Sequence, residues 1–220
     1  MKQKLQNWFY YYKWYVVIGA LMLFFLIQWA GNLTGLFEKK PDVQIACVLN
    51  RPLSAEAQHF LEDTFAQAAE DYNSDGKVTV RIHSYLTADE SSTTEAQQSS
   101  AYSEVTLIGD INDCESYFFL MDDPDAVQVN WQILAQADGS CPAPTDYSTD
   151  DKTVPFTALS FSNGSGNSAA GTDTRPPEHM TEEEYLYLTS LRFGRRCFYT
   201  EKHCKYEEKL SALWSLLTGL

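Results

Sequence analysis

The densest group of residues capable of chemistry lies in the segment Asp71-Tyr72-Asn73-Ser74-Asp75-Gly76-Lys77-Val78. Asp71, Asn73 and Asp75 occupy the first, third and fifth positions of a calcium-binding loop, where carboxylate and amide oxygens converge on one cation. Gly76 occupies the sixth position, at which such loops turn sharply. The spacing therefore predicts a calcium site formed by Asp71, Asn73 and Asp75.

The second half of that motif is absent, so another interpretation stays open. Ile82 stands at the twelfth position, where the motif has a glutamate that binds calcium with both carboxylate oxygens. A calcium ion would then need further ligands from elsewhere in the chain. Because Asn, Asp and Gly are also favoured in tight turns, the alternative is a plain turn between a helix and a strand.

Five cysteines are spread over the chain: Cys47, Cys114, Cys141, Cys197 and Cys204. Cys47 falls in an apolar run, where it is expected to be a small buried side chain. Six residues separate Cys197 from Cys204 across an expected turn, so these two are predicted to form a disulfide in an oxidising compartment. Cys114 and Cys141 are the next possible disulfide pair.

No complete catalytic motif occurs in the sequence. There is no G-x-S-x-G, H-E-x-x-H, P-loop or G-x-G-x-x-G. Acidic residues are abundant, but none are paired at a spacing diagnostic of catalysis. The adjacent acids Asp122-Asp123 and Asp150-Asp151 are most typical of solvated loops.

The elements that must position these residues follow from hydrophobic periodicity. Val43 to Leu49 is an almost continuous apolar run, which is typical of a strand buried on both faces. Ser54 begins an amphipathic helix that extends to about Tyr72. Alternation from Val78 to Ile82 predicts a half-buried strand. Apolar residues at helical spacing then predict a second helix. The apolar run from Tyr117 to Met121 predicts a third strand.

The order of these elements predicts a three-layer α/β sandwich with a mostly parallel sheet over residues 43–220. Asp123 followed by Pro124 predicts the start of a third helix. Later in the chain, the pattern predicts strands near Val154 and from Tyr185 to Phe193. Residues 162–178 are a loop by composition. A closing amphipathic helix carries Leu210, Leu213, Trp214 and Leu217.

A long apolar segment precedes this domain. Residues 14–37, WYVVIGALMLFFLIQWAGNLTGLF, are 24 consecutive uncharged residues. About 20 mainly apolar residues in a helix span the hydrocarbon core of a bilayer, and the aromatic residues before this run resemble an interfacial belt. We therefore predict a transmembrane helix at 14–37, a cytoplasmic or interfacial N-terminus at 1–13, and a juxtamembrane linker at 38–42.

The charge distribution predicts how this helix is oriented. Three lysines and no acidic residue precede the span, which favours a cytoplasmic N-terminus. Residues 41–220 contain 11 basic and 29 acidic residues, so the predicted extracytoplasmic domain is strongly acidic. The net charge of −14 argues against a nucleic-acid partner. The densest basic group, Arg192, Arg195 and Arg196, is expected to pair with the acids at 182–184 or with an anionic partner.

A cleaved signal peptide is the alternative to a retained anchor. Its expected A-x-A site is absent, and the best stretch of small residues is Ala30-Gly31. The aromatic residues in the first 13 positions are also unusual for a signal peptide. Cys47 lies too far beyond the N-terminal apolar segment to be the lipid-modified cysteine of a lipoprotein. A single-pass anchor in the cell membrane is therefore the preferred prediction.

One resemblance supports this organisation. The single N-terminal span, the strand beginning at Asp42, the motif at Asp71–Val78 and the strand ESYFFL together resemble a group of uncharacterised bacterial membrane-anchored proteins. The resemblance covers residues 8–125. It implies an outer domain similar to one lobe of an extracytoplasmic solute-binding protein. The chain is too short for two full lobes, and the group implies no activity.

Three functions are consistent with the sequence. The first is a membrane-anchored, non-enzymatic outer domain that binds a small ligand or a protein partner at the cell envelope. The second is an anchored hydrolase that uses carboxylates. The third is an accessory subunit of a membrane complex. A cleft lined by converging polar side chains would favour a ligand or substrate, whereas an apolar surface patch would favour a protein partner.

Overall fold

The computed structural model describes residues 12, 14, 15, 17–29, 40–87, 94–163, 166–169, 180–198 and 202–220. The chain divides into two compact units, Met1–Lys40 and Pro41–Leu220. Each unit has its own internal contacts and is described by itself below.

The first unit is helical at every described position between 12 and 29. The side chains of residues 17–29 are exposed around the whole helix. Within the part of the chain that the structure describes, no helix combines the length and the apolar character needed to cross a bilayer. Of the predicted span at 14–37, residues 16 and 30–37 lie outside the described residues, as do 38 and 39 of the predicted linker.

The second unit is an α/β domain. Its strands are β1 Val43–Leu49, β2 Val80–Leu86, β3 Phe118–Met121, β4 Thr153–Pro155, β5 Ser160–Asn163, β6 Gly166–Ala169 and β7 Arg192–Arg195. Its helices are α1 Ala55–Ala66, α2 Thr94–Asp113, α3 Pro124–Trp131, α4 Glu182–Ser190 and α5 Glu207–Thr218. Strands β2, β1, β3, β7 and β4 form one sheet in that order, and β5 pairs with β6 in a separate hairpin.

The α/β fold is as predicted, and its five-stranded sheet is mixed: β1, β2, β3 and β4 run in one direction and β7 runs in the opposite one. Strand β1 runs parallel to β2 and β3, but β7 runs antiparallel to β3 and β4. The reason is the short connection before β7. Only Leu191 separates α4 from β7, and β7 begins with Arg192 paired to Met121, the last residue of β3. The chain therefore enters β7 at the carboxyl end of β3.

Both faces of the sheet are buried, as the continuous apolar run of β1 predicts. Ile45 and Cys47 belong to an apolar cluster that includes side chains of α1, α4 and α5. Ala46 and Val48 belong to a second cluster with Leu107 of α2 and side chains of α3. Alternate residues of one strand therefore serve two separate cores.

Two predictions for the C-terminal third differ in part from the structure. The segment from Tyr185 to Ser190 is helical, although its apolar pattern predicts a strand. Thr181 caps this helix by accepting a hydrogen bond from the Glu184 amide, and three glutamates in the first turn suit its positive end. The predicted loop at 162–178 contains most of the β5–β6 hairpin, while residues 164, 165 and 170–178 lie outside the described part.

The predicted disulfide between Cys197 and Cys204 is also wrong. Cys197 is bonded to Cys141, with their Cα atoms 5.2 Å apart, while Cys204 and Cys114 are buried free thiols. Residues 133–135 pair with the chain around Arg195 and Arg196, and the Cys197 amide donates to the Ile133 carbonyl at 2.8 Å. This alignment brings the following loop, with Cys141, back to Cys197. Proximity in space, rather than in sequence, selects the partner.

Candidate functional site

The crossovers around β1 identify the edge of the sheet where a ligand site is expected. From β1 the chain passes through α1 to β2 on one side, and from β2 it passes through α2 to β3 on the other side of β1. The strand order therefore reverses between β1 and β3. In open α/β sheets, ligands bind outside the carboxyl ends of the strands at such a reversal.

Asp122 links the chain segments that meet at this point. Directly after β3, its Oδ2 accepts a hydrogen bond from the Asn50 amide at 2.7 Å, just beyond β1. The same oxygen accepts a hydrogen bond from the Tyr187 hydroxyl of α4 at 2.8 Å. One carboxylate thus joins the ends of β1 and β3 to α4. The sequence pattern placed Asp122 in a solvated loop, whereas Asp123 caps α3 as predicted.

A cleft lies beside this junction, between the β1–α1 connection and α4. We call it the switch-point cleft, and its volume is about 270 Å³. Its lining residues are Arg51, Pro52, Leu53, Ser54, Ala57, Glu184, Tyr187 and Leu188. Ligand cavities commonly measure about 300–1,000 Å³ and combine apolar walls with a few polar groups. The switch-point cleft has that composition and suits a very small molecule.

Arg51 is the cation of the cleft. Its guanidinium carbon lies 3.6 Å from the centre of the Tyr187 ring. One terminal nitrogen, Nη1, lies 3.3 Å from a carboxylate oxygen of Glu183, whose side chain is 86% exposed. An exposed ion pair of this kind adds little stability. The other nitrogen, Nη2, is buried and has no hydrogen-bond partner among the described residues.

Glu184 is the carboxylate of the cleft. The Thr181 hydroxyl donates to its Oε2 at 3.1 Å, which completes a capping box at the start of α4. Hydrogen bonds from the Ser54 and Thr181 hydroxyls lower the pKa of Glu184. Since these bonds favour the charged form, Glu184 is ionised at neutral pH. Ser54 also caps α1 by accepting from the Ala57 amide at 3.1 Å.

Tyr187 has a structural part in this arrangement. Burial and its hydrogen bond to Asp122 raise the pKa of the Tyr187 hydroxyl. The hydroxyl therefore stays protonated and keeps donating to Asp122 across the physiological range. Its ring at the same time supports the Arg51 guanidinium. Together these groups bring a cation and a carboxylate to the lining of one partly apolar cleft, which is suited to holding a small charged molecule.

The predicted calcium residues form one loop, and their oxygens accept hydrogen bonds from the loop backbone. Asp71 accepts from the amides of Asp75 at 3.1 Å and Gly76 at 2.7 Å. Asn73 Oδ1 accepts a hydrogen bond from the Asp75 amide at 2.9 Å. The Asp75 carboxylate accepts a hydrogen bond from the Lys77 backbone amide at 3.1 Å. No group of three or more His, Cys, Asp and Glu side chains arranged for a metal occurs in the described part of the chain. Calcium binding stays a prediction.

Asp42, directly before β1, holds this loop in place, which the sequence did not reveal. It is buried, and its two carboxylate oxygens accept hydrogen bonds from the amides of Asn73 and Thr79, each at 2.8 Å. The carboxylate therefore fastens the start of β1 to the Asp71–Val78 turn. Its only sequence signal is an acid directly before an apolar strand.

The basic cluster is internal rather than a surface for an anionic partner. Arg195 and Arg196 are buried, and their guanidinium groups donate to the backbone carbonyls of Ala137 and Ile111. Arg192 donates to the hydroxyl and carbonyl of Thr153, each at 3.0 Å. Instead of these arginines, Arg51 pairs with Glu183, an acid at the start of α4. The acids nearest in sequence to these arginines are therefore not their ion-pair partners.

A buried acid lies on the opposite face of the sheet. Asp110 of α2 accepts hydrogen bonds from the Tyr85 hydroxyl at 2.8 Å and from the Ser116 amide and hydroxyl at 2.8 and 2.6 Å. Burial and the Asp110 carboxylate raise the pKa of Tyr85. This group fastens α2 to β2 and β3, and its polar atoms are directed at one another.

Comparisons with protein-family models, with curated proteins and with solved structures find no match to this chain. The resemblance to membrane-anchored envelope proteins therefore stays a prediction.

Proposed function

We propose that this protein is a membrane-anchored, extracytoplasmic, non-enzymatic binding protein that holds a small ligand in the switch-point cleft. The observation that carries the proposal is the switch-point cleft itself, whose lining brings the 34% exposed Arg51 side chain and the Glu184 carboxylate together beside the reversal of strand order.

The site around this donor supports the same proposal. The cleft lies at the reversal of strand order, where α/β proteins bind ligands. The Tyr187 ring and the Glu183 carboxylate already orient the guanidinium, so little side-chain freedom is lost on binding. The lining also offers apolar contact through the partly buried Leu53.

The anchor is the second part of the proposal. Its support is the run of 24 uncharged residues and the exposed, apolar surface of residues 17–29. A helix that is apolar around its whole circumference requires an apolar environment. The lysines before the run favour an N-terminus in the cytoplasm and the acidic domain outside.

A protein partner is the second candidate, and a specific surface favours it. Helix α2 exposes Tyr102 by 76% and Val105 by 70%, and Ile108 is exposed on the same side. These residues recur at helical spacing. An accessory subunit of a membrane complex would use such a face. The third alternative, a hydrolase, would need two carboxylates acting on one bound molecule.

Ligand binding can be tested on the full-length chain purified in detergent. Thermal melts with a panel of small carboxylates, amines, amino acids and sugars should identify compounds that stabilise the chain. Arg51→Met should abolish that stabilisation, whereas Arg81→Met, on the edge strand β2, should leave it unchanged. If no compound stabilises the chain, or if every effect survives Arg51→Met, the cleft is not a ligand site.

A further inference from the structure

Two buried cysteines lie on adjacent chain segments without being bonded. Cys114 directly follows α2 and Cys204 precedes α5, and both are free thiols in the same apolar cluster. The Cys114 thiol donates to the Lys202 carbonyl at 3.4 Å, and the Cys204 thiol donates to the Ser116 carbonyl at 3.6 Å. Each sulfur therefore contacts the residue two positions away from the other cysteine.

The same two segments are also fastened together at the surface. Lys202 Nζ donates to the Asn112 carbonyl at 2.7 Å and lies 2.8 Å from a carboxylate oxygen of Asp113. The side chains of Lys202 and Asp113 are both exposed. The end of α2 is thus held against the segment that leads into α5, and the two thiols lie on the buried side of this contact.

The charge of one of these cysteines acts on the other. Burial raises the pKa of Cys204 to about 12, the Arg196 guanidinium opposes that effect, and the Cys114 thiolate reinforces it. By contrast, burial alone raises the pKa of Cys47. Electrostatic interaction falls with distance, so Cys114 and Cys204 are neighbours in space, whereas Cys47 is apart from them.

The backbone at Cys114 is unusual for a cysteine. Its φ of 53° lies in the left-handed region. Glycine and asparagine are the common residues at such a position after a helix, because a β-carbon there is strained. The chain therefore has a thiol at a position where the backbone alone favours glycine.

We propose that Cys114 and Cys204 are a dithiol that closes into a second disulfide when a low-molecular-weight disulfide, such as glutathione disulfide, is supplied. The two side chains turn from the carbonyl oxygens towards each other, and the bond joins the end of α2 to the segment before α5. A disulfide bridges Cα atoms about 4.4–6.8 Å apart, which is close to the separation of adjacent backbones. This inference is independent of any ligand in the switch-point cleft.

The reaction is thiol–disulfide exchange. One cysteine loses its proton, and its thiolate attacks a sulfur of glutathione disulfide, which releases one glutathione and leaves a mixed disulfide. The second cysteine then loses its proton and attacks the protein sulfur of that mixed disulfide, which releases the other glutathione. The two protein sulfurs lose two electrons in total, glutathione disulfide gains them, and both protons end on the released glutathione.

Arg196 is placed to assist this exchange. It is buried, its Nη2 donates to the Ile111 carbonyl, and its Nε and Nη1 have no hydrogen-bond partner among the described residues. The thiolate is the nucleophile in exchange, and a nearby guanidinium favours the thiolate of Cys204. Because burial has the larger and opposite effect on that pKa, we expect the pair to stay reduced until the oxidant is supplied in excess.

The test compares the full-length chain in detergent before and after incubation with excess glutathione disulfide. Alkylation, digestion without reductant and mass spectrometry identify the linked peptides. Before incubation, Cys114 and Cys204 should both be alkylated. Afterwards a linked pair of Cys114 and Cys204 should appear beside the Cys141–Cys197 pair. The midpoint of the thermal melt should rise by at least about 5 °C, because a long loop is closed.

Three variants assign the new bond. Cys114→Ala and Cys204→Ala should each abolish it and leave the remaining cysteine of the pair as a mixed disulfide with glutathione. Recovery of the Cys141–Cys197 peptide shows that each variant has folded. Cys47→Ala is the matched control, because it alters a buried thiol outside the pair, and the new bond should form in it as in the unmodified chain.

Refolding the reduced, unfolded chain in glutathione disulfide and glutathione removes the effect of burial on access. A Cys114–Cys204 bond that forms only on refolding supports the pairing and makes burial the barrier to oxidation of the folded chain. Absence of the bond in both experiments would overturn the proposal. Separate glutathione adducts on Cys114 and Cys204 of the unmodified chain, or a Cys114–Cys141 link, would overturn it as well.

Discussion

The guanidinium of Arg51 lies on the ring of Tyr187, 3.6 Å from its centre, and the Tyr187 hydroxyl donates to Asp122. This pair connects the loop after β1 to α4, and through Asp122 to the end of β3. A cation stacked on an aromatic ring keeps its in-plane donors available for other partners. The stack therefore orients Arg51 without using Nη2.

Tyr187→Phe tests the link to Asp122. The change removes one hydrogen bond to a carboxylate and keeps the ring under Arg51, so we expect the free energy of unfolding to fall by about 1.5–3 kcal/mol. Urea denaturation monitored by tryptophan fluorescence measures this loss. Tyr147→Phe is the control, because Tyr147 is exposed and its hydroxyl accepts one bond from Gln132. Equal effects of the two substitutions would contradict the proposed role of Tyr187.

The disulfide assignment predicts one cross-linked peptide. Digestion of the oxidised chain without reductant should give a peptide pair joined through Cys141 and Cys197, with Cys204 alkylated as a free thiol. Cys141→Ser should lower the free energy of unfolding by about 2–4 kcal/mol, because a long loop is then no longer closed. Cys47→Ser, which alters a buried thiol outside any disulfide, should leave the cross-linked peptide in place. Recovery of a Cys197–Cys204 link would overturn the assignment.

Lys152 predicts a specific dependence on pH. Its buried ammonium lies 3.0 Å from a carboxylate oxygen of Asp146, and this hydrogen-bonded pairing lowers the pKa of Asp146. A carboxyl whose folded pKa is lowered stabilises the fold above its unfolded pKa of about 3.9, and that contribution is lost as the pH falls through the folded pKa.

The stability difference between the unmodified chain and Lys152→Met should therefore be constant from pH 5 to 7 and shrink below about pH 4. Urea denaturation of both proteins at each pH measures this difference. Lys77→Met, at an exposed lysine of the Asp71–Val78 turn, is the control and should show no such trend. A difference that does not change between about pH 6 and pH 2 would argue against the pairing.

Calcium binding is tested by thermal melts with chelator, calcium and magnesium. If Asp71, Asn73 and Asp75 bind calcium, the ion at about 100 times its dissociation constant should add about 2.7 kcal/mol to the free energy of unfolding. Asp75→Ala should abolish that response, whereas Asp63→Ala on α1 should preserve it. Because Ile82 stands where the motif has its bidentate glutamate, we expect the same melt in all three solutions. A calcium-specific rise that Asp75→Ala removes would refute this expectation.

The orientation of the chain is tested by adding protease to intact cells without a wall. A tag placed before residue 1 should survive, and the domain beyond residue 40 should be degraded, because the lysines before the apolar run favour the cytoplasm. Cells permeabilised with detergent are the control, in which both parts should be cleaved. Protection of the domain in intact cells would reverse the orientation.

Local sequence patterns determined several elements of this protein. The apolar run of β1 predicts a strand buried on both faces, Ser54 predicts the start of α1, and Asp123-Pro124 predicts the start of α3. Each of these depends on a side chain and its close neighbours in sequence, through period, capping or the fixed φ of proline. The residues on either side in the sequence are therefore sufficient to predict these three elements.

Only the tertiary structure decided the direction of β7, the partner of Cys197 and the composition of the switch-point cleft. Arg51 and Tyr187 are 136 positions apart, so no local pattern connects them. Their contact depends on how α4 packs and on where its short connection delivers the chain to β3. Such contacts result from the burial of both sheet faces at once, which is a property of the whole domain rather than of any segment.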